Sequence, residues 1–318
     1  MSNLSEFERL LIVGLPRCGT TLVATLLGAQ PGIHFLTDYF PAFSEAVQRL
    51  GRSWSNTLSP SERRIALALV RDQFLRVRHP VLVKPESFSN LDELHRLVLA
   101  ELTSHAERWV GHKLLLAPEQ LRAVLDQTSI HCLLLLRDCR DAALSFFHRT
   151  GGGVERYVRN YCEMVRVARS LEPHPRLFTL RYEDLIVAPE PTLARLGQWL
   201  GVGIDPNVTQ LRFQRSRAHG ALGWSENSVF GDVTERFDSR PVGRWHEASA
   251  SSIVRFAGWA ARRELRELGY GDSALRLSPS ERSSFYCLRA LERTEHRAHD
   301  SLSSMGQWLR RRMVRLGP

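Results

Sequence analysis

The sequence predicts an α/β fold in three layers, a parallel sheet flanked by helices, and three observations predict it. Short apolar runs without alternation, such as RLLIVG at 9–14 and IHCLLLL at 130–136, suit strands buried on both faces of a parallel sheet. Between them lie segments whose apolar residues recur at threes and fours, the period of an amphipathic helix. The two kinds alternate along the chain, and alternation builds strand–helix units rather than hairpins.

The first strand, 9–14, leads through a glycine-containing turn into a helix over 21–29, where Leu22, Leu26 and Ala29 share a face and Pro31-Gly32 ends it. Residues 40–79 read as helical, with Ser59 or Ser61 able to cap SPSERRIALALVRDQFLRV. Candidate strands follow at 80–83 (PVLV) and 108–116 (RWVGHKLLL), separated by the helical LDELHRLVLAELTSHA. The helix PEQLRAVLDQ precedes the strongest strand, 130–136, which runs directly into Arg137. Then come the helix DAALSFFHRT, a break at Gly151 to Gly153, the helix ERYVRNYCEMVRVARSL and a last strand at 176–181. From Pro191 onward the pattern is mainly helical, with a polar stretch at 216–240 and a basic amphipathic end, SMGQWLRRRMVRLGP.

A length of 318 residues with 43% hydrophobic and 24% charged residues supports one folded domain with insertions. Lysine and arginine number 43 against 34 acidic residues, a formal charge of +9 that favours anionic partners. No zinc-finger spacing or RNA-binding signature accompanies that charge, so a nucleic-acid partner is not expected. The five cysteines, Cys18, Cys132, Cys139, Cys162 and Cys287, are scattered without a CxxC pair, which argues against a disulfide framework and a zinc site. The first residues carry acids rather than a basic leader, and no apolar stretch reaches membrane-spanning length; a cytoplasmic protein is expected.

The turn Gly14-Leu15-Pro16-Arg17-Cys18-Gly19-Thr20-Thr21 joins a strand to a helix N-terminus, where backbone N–H groups and the helix dipole favour a phosphate. Its two glycines have the spacing of an ATPase P-loop, but Thr20 stands where the phosphate-binding lysine belongs. That argues against ATP hydrolysis. The cation has moved into the loop, as Arg17, whose guanidinium can hold an oxyanion bidentately. A second basic position, Arg137, ends the strand at 130–136, and Ser145 follows eight positions later, about two helical turns on. Open α/β sheets bind ligands at such strand ends. Each feature also has a plain alternative: a structural turn for the first, solvated ion pairs among Arg137, Asp138, Arg140 and Asp141 for the second.

Together the two features resemble a known family. GLPRCGTTLVATLL followed by QPGI looks like the 5′-phosphosulfate-binding loop of sulfotransferases, in the form of the bacterial and tyrosylprotein-type branch, and Arg137 with Ser145 looks like that family's 3′-phosphate motif. RYEDL at 181–185 and VGRW at 242–245 resemble two further family segments, and the resemblance spans roughly residues 9 to 270. It implies a P-loop-like sulfotransferase domain over 1–276, a helical basic extension over 277–318, and 3′-phosphoadenosine-5′-phosphosulfate (PAPS) as co-substrate without a metal.

The resemblance also implies roles. Pro16, Arg17, Cys18, Gly19, Thr20 and Thr21 would hold the 5′ end of the donor, Arg137 and Ser145 the 3′-phosphate, and Tyr182, Arg244 and Trp245 would contact it. Arg17 and Lys113, which lies 24 positions before Arg137, would be the cations of transfer, with Lys84 a competitor for the lysine's place. The base would be Asp38, ahead of His112, which precedes Lys113 where the cytosolic branch has a histidine after its lysine, and ahead of His34. The expected acceptor is a carbohydrate or glycosylated small molecule, with peripheral membrane contact through the basic tail. The rival readings are a P-loop nucleotide kinase-like phosphotransferase and a non-catalytic binder of anionic glycans or membrane surfaces.

Overall fold

Five strands form one sheet in the order β2-β3-β1-β4-β5, every neighbouring pair parallel. The structure, a computed structural model, describes residues 7–39, 41–76, 81–101, 107–114, 118–151, 153–205, 240–271 and 276–283. The strands are β1 (Glu8–Gly14), β2 (Ile33–Tyr39), β3 (Trp109–Leu114), β4 (His131–Leu136) and β5 (Leu177–Arg181). From β1 the chain winds one way, to β2 and β3. From β3 it crosses β1 and continues the other way, through β4 to β5. The sheet therefore reverses between β1 and β4, and such a reversal opens a crevice at the carboxyl ends of those two strands.

The apolar runs behave as expected of central parallel strands. Leu10 to Val13 and Cys132 to Leu135 have no exposed surface. Helices cover the sheet: α1 (Thr20–Gly28), α2 (Ala42–Leu50), α3 (Pro60–Arg76), α4 (Leu91–Ala100), α5 (Pro118–Gln127), α6 (Cys139–Thr150), α7 (Val154–Leu171), α8 (Tyr182–Val187) and α9 (Pro189–Leu200), with two further ones at Ser252–Ala260 and Arg262–Glu267. Their starts follow capping chemistry. Ser59 accepts from Glu62 N through its hydroxyl while the Glu62 carboxylate accepts from Ser59 N at 2.8 Å, a reciprocal box with Pro60 at the first helical position. The same five residues, SPSER, recur at 278–282 and close the same box between Ser278 and Glu281.

Two expectations need correction. Residues 81–83 form no strand: Arg71 donates to the carbonyls of Val81 and Val83, and the chain passes into a short 3-10 turn, Pro85–Ser87. A sheet edge at β2 was not expected, because IHFLTDY carries His and Asp within a short run beside a Pro-Gly stop. Just past the expected boundary at 276, Leu277 lies in the main core and Glu281 pairs with Arg255. The tail from 284, with Cys287, and residues 206–239, which hold all of the polar stretch at 216–240 but Arg240, lie outside the described residues. No described helix is long and apolar enough to cross a membrane.

Candidate active site

The loop after β1 is set by two backbone requirements. Gly19, with φ at 92°, precedes α1 in the left-handed region, and a Cβ there would strike the Tyr182 ring, so only glycine fits. Arg17 is left-handed too, with φ at 72°, a conformation that costs a non-glycine residue about 1–2 kcal/mol. Three contacts hold it there. Tyr157 donates to the carbonyl of Pro16 at 2.8 Å, Arg137 Nη1 donates to the carbonyl of Arg17 itself at 3.0 Å, and Arg17 Nε donates to Ser145 Oγ at 3.0 Å. No side chain caps α1, which leaves its first-turn N–H groups for a ligand.

These contacts join the two expected anion sites into one. A cleft of about 130 Å³ is lined by Arg17, Gly19, Thr20, Thr21, Arg137, Ser145, Tyr182 and Arg244 among others. Arg137 lies 4.8 Å from the centroid of the Tyr182 ring. Its buried Nε has no hydrogen-bond partner among the described residues, which leaves a donor for a ligand oxygen. Burial lowers the Arg17 guanidinium pKa from its ordinary value, and the charges of Arg137 and Arg149 lower it further. Cations crowded this way gain most when an anion settles between them. Cys18 is different: burial pushes its thiol up to about 11, so it stays protonated and packs as an apolar side chain.

Lys113 comes from β3 and reaches under the same loop. It is 2% exposed, and its Nζ donates to Thr21 Oγ1 at 2.9 Å. Alternation along the strand sends its neighbour to the other face. There His112 Nε2 lies 2.9 Å from His95 Nε2, among Phe43 and Trp54. Burial pushes His112 down to about 4 and His95 well below its ordinary value, so the pair is neutral at physiological pH. The structure does not bring His112 to the cleft; it is a buried histidine satisfied by a histidine. Lys84 is exposed and is not among the cleft's lining residues. His34 pairs in register with Val110, toward the amino end of the sheet, away from the strand ends that form the site. The backbone of Asp38 sits at the carboxyl end of β2, in the irregular step between Leu36, paired with His112, and Tyr39, paired with Lys113.

Sequence reasoning missed several supports. Glu183 accepts from Asp138 N at 2.9 Å and from Tyr270 OH at 2.7 Å, tying the start of α6 to the end of the domain. Tyr157, which holds Pro16, lies on α7 with no local signal of that task. The alternative of a solvated loop of ion pairs does not hold, because Arg137, Asp138, Arg140 and Asp141 are all buried. Trp245 is half-buried over Arg140, 3.7 Å from ring centroid to guanidinium, and Arg244 is exposed at the cleft's rim.

A sequence model of the sulfotransferase family matches residues 9–206, from β1 to the end of the segment after α9. No curated protein is significantly similar in sequence. Among solved structures, the chain is similar to the sulfotransferase domain from the curacin biosynthetic pathway, at 15% identity and a TM-score of 0.55, covering 84% of this chain and 99% of that one. The sulfotransferase domain of the Synechococcus PCC 7002 olefin synthase follows at 16% identity and a TM-score of 0.45, covering 78% and 97%. Mouse sulfotransferase SULT7A1, complexed with PAP, stands at 14% and 0.43, covering 83% and 88%. With its parallel sheet, its arginine-bearing loop and a family match over most of its length, this chain belongs to the sulfotransferase family, whose members draw on PAPS as sulfuryl donor.

Proposed function

We propose that the protein moves the sulfuryl group of PAPS to a hydroxyl of an acceptor, a carbohydrate or a glycosylated small molecule. One observation carries the donor reading: Arg17 bonds Ser145 while Arg137 bonds the carbonyl of Arg17, so the 5′ and 3′ anion sites share one cleft. A nucleotide phosphorylated at both ends of its ribose needs that arrangement. In the transfer, the acceptor oxygen attacks sulfur as the bridging sulfur–oxygen bond to the 5′-phosphate breaks, and the electron pair leaves with 3′-phosphoadenosine-5′-phosphate (PAP). Arg17 and Lys113 offset the charge that gathers on the transferring group and bridging oxygen. The acceptor's proton passes to a base, and we assign Asp38, whose backbone stands at a strand end beside Lys113.

PAP should raise the melting temperature of the protein, and Arg137→Ala should weaken PAP about 10- to 100-fold, the scale of a lost hydrogen bond to a charged group. Calorimetric titration reads both. No stabilisation at millimolar PAP would sink the donor reading. Asp38→Asn should lower turnover about 100-fold or more while leaving PAP affinity intact, and an unchanged rate would remove Asp38 as base. The acceptor class rests on the excess of basic over acidic residues. A radiolabelled-donor screen across sugars, phenols and lipid alcohols tests it, and label confined to phenols or lipids would overturn it.

A further inference from the structure

Between Arg137 and Ser145 the chain carries Asp138, Arg140 and Asp141, only 4%, 1% and 2% exposed. Buried carboxylates need donors. Those of Asp138 are local, because it pairs with Arg140 at 2.6 Å and caps α6 by accepting from Arg140 N. Those of Asp141 come from about a hundred residues away. Its Oδ2 accepts from Gly243 N at 2.7 Å and its Oδ1 from Trp245 N at 2.8 Å, so one carboxylate spends both oxygens on a single turn. The residue between those amides is Arg244. Two neighbours fasten the same turn: Arg137 Nη2 donates to the carbonyl of Pro241, and the Arg140 guanidinium lies against the Trp245 ring at 3.7 Å.

We infer that Asp141 is a positioning residue, which clamps the turn at 241–245 onto the start of α6 so that Arg244 stands at the donor cleft. The inference rests on the PAPS reading above. Arg244 is exposed on a segment of turns rather than on a helix or strand, and long arginines on such segments spend rotamer and backbone freedom when they order around a ligand. Two short carboxylate-to-amide bonds, which are charge-assisted, order the backbone in advance. Arg137 then serves twice, bracing the loop through the carbonyl of Arg17 and the turn through that of Pro241, so both walls of the cleft hang from the end of β4.

A binding cycle with PAP as the probe tests this. Asp141→Asn keeps the side chain's shape but sets an amide N–H₂ against one of the two backbone N–H groups, and PAP affinity should fall about tenfold. Arg244→Ala should cost a similar factor. The double variant should bind no more than about threefold more weakly than Arg244→Ala alone, because the clamp acts through that arginine. Losses that multiply to about a hundredfold, or no loss in Asp141→Asn, would overturn the inference; a merely structural aspartate would lower ligand-free stability and add to Arg244→Ala in full. Hydrogen exchange on the unsubstituted chain needs no variant: the amides of Gly243 and Trp245 should exchange slowly and slow further with PAP, and fast exchange in the complex would overturn the clamp. Failure of the unsubstituted chain to bind PAP at all would instead bring down the donor reading, and this inference with it.

Discussion

Lys113→Met should lower turnover by about 100- to 1,000-fold, the scale on which removing one preorganised donor to a developing charge is felt. The ammonium is buried under the loop, 2.9 Å from Thr21 Oγ1, in a position built from β3 and α1 together. Methionine keeps the stem and its packing and removes the charge. The variant's stabilisation by PAP should therefore shrink, because the buried cation that faces the bound anion is gone. Lys84→Met is the control. That lysine is exposed, outside the cleft, and its replacement should leave the rate within about threefold. Rates for both variants with an acceptor found in the radiolabel screen, beside melting curves with and without PAP, decide the matter. A Lys113→Met enzyme at nearly full rate would leave Arg17 as the lone cation of transfer.

The second large effect lies on the other face of the same strand and concerns stability rather than turnover. His95 and His112 are fully buried against each other, and Arg9 Nη1 stands 3.4 Å from His95 Nδ1. Burial holds His112 down to about 4, and burial, His112 and Arg9 hold His95 lower than its ordinary value. In the unfolded chain both titrate near 6.5. The unfolded state therefore binds protons that the folded state refuses, and stability must rise with pH through this window. It is complete above about 6.5 and falls as the pH drops, for His112 until about 4. At about 1.4 kcal/mol per pH unit, acidification from 6.5 to 5 should cost on the order of 2 kcal/mol from His112, and His95 adds to the loss in the same direction. Urea unfolding at several pH values reads the slope. The double variant His95→Leu, His112→Leu should flatten it between 6.5 and 5, and equal slopes in the two proteins would refute a neutral buried pair. The same variant should keep PAP affinity, because the pair faces away from the cleft.

Much of the fold is legible in local patterns. Leu10 to Val13 and Cys132 to Leu136 are apolar at every position, as suits a strand covered on both faces, and the SPSE box marks the start of α3 by side-chain chemistry alone. β2 was not legible. Its polar residues break the apolar run, and its strand character comes from pairing with β3, a partner about 75 residues away. Residues 81–83 show the reverse: PVLV has the composition of a strand, but Arg71 takes up its carbonyls and it joins no sheet.

By itself the sequence determined the strand–helix grammar, the glycine-flanked turn into α1 with Arg17 inside it and no lysine after Gly19, and the Arg137–Ser145 spacing, because turn geometry, helix periodicity and charge are set by neighbours a few positions apart. Only the tertiary structure decided which side of β3 carries Lys113 and which hides His112, that Arg17 and Ser145 touch, and that Asp141 bonds Gly243 and Trp245. Those outcomes depend on strand register and on contacts between residues some hundred positions apart. Which buried polar group meets which partner is settled when the layers close, since a buried charge or amide must then find its hydrogen bond in whatever segment lies against it.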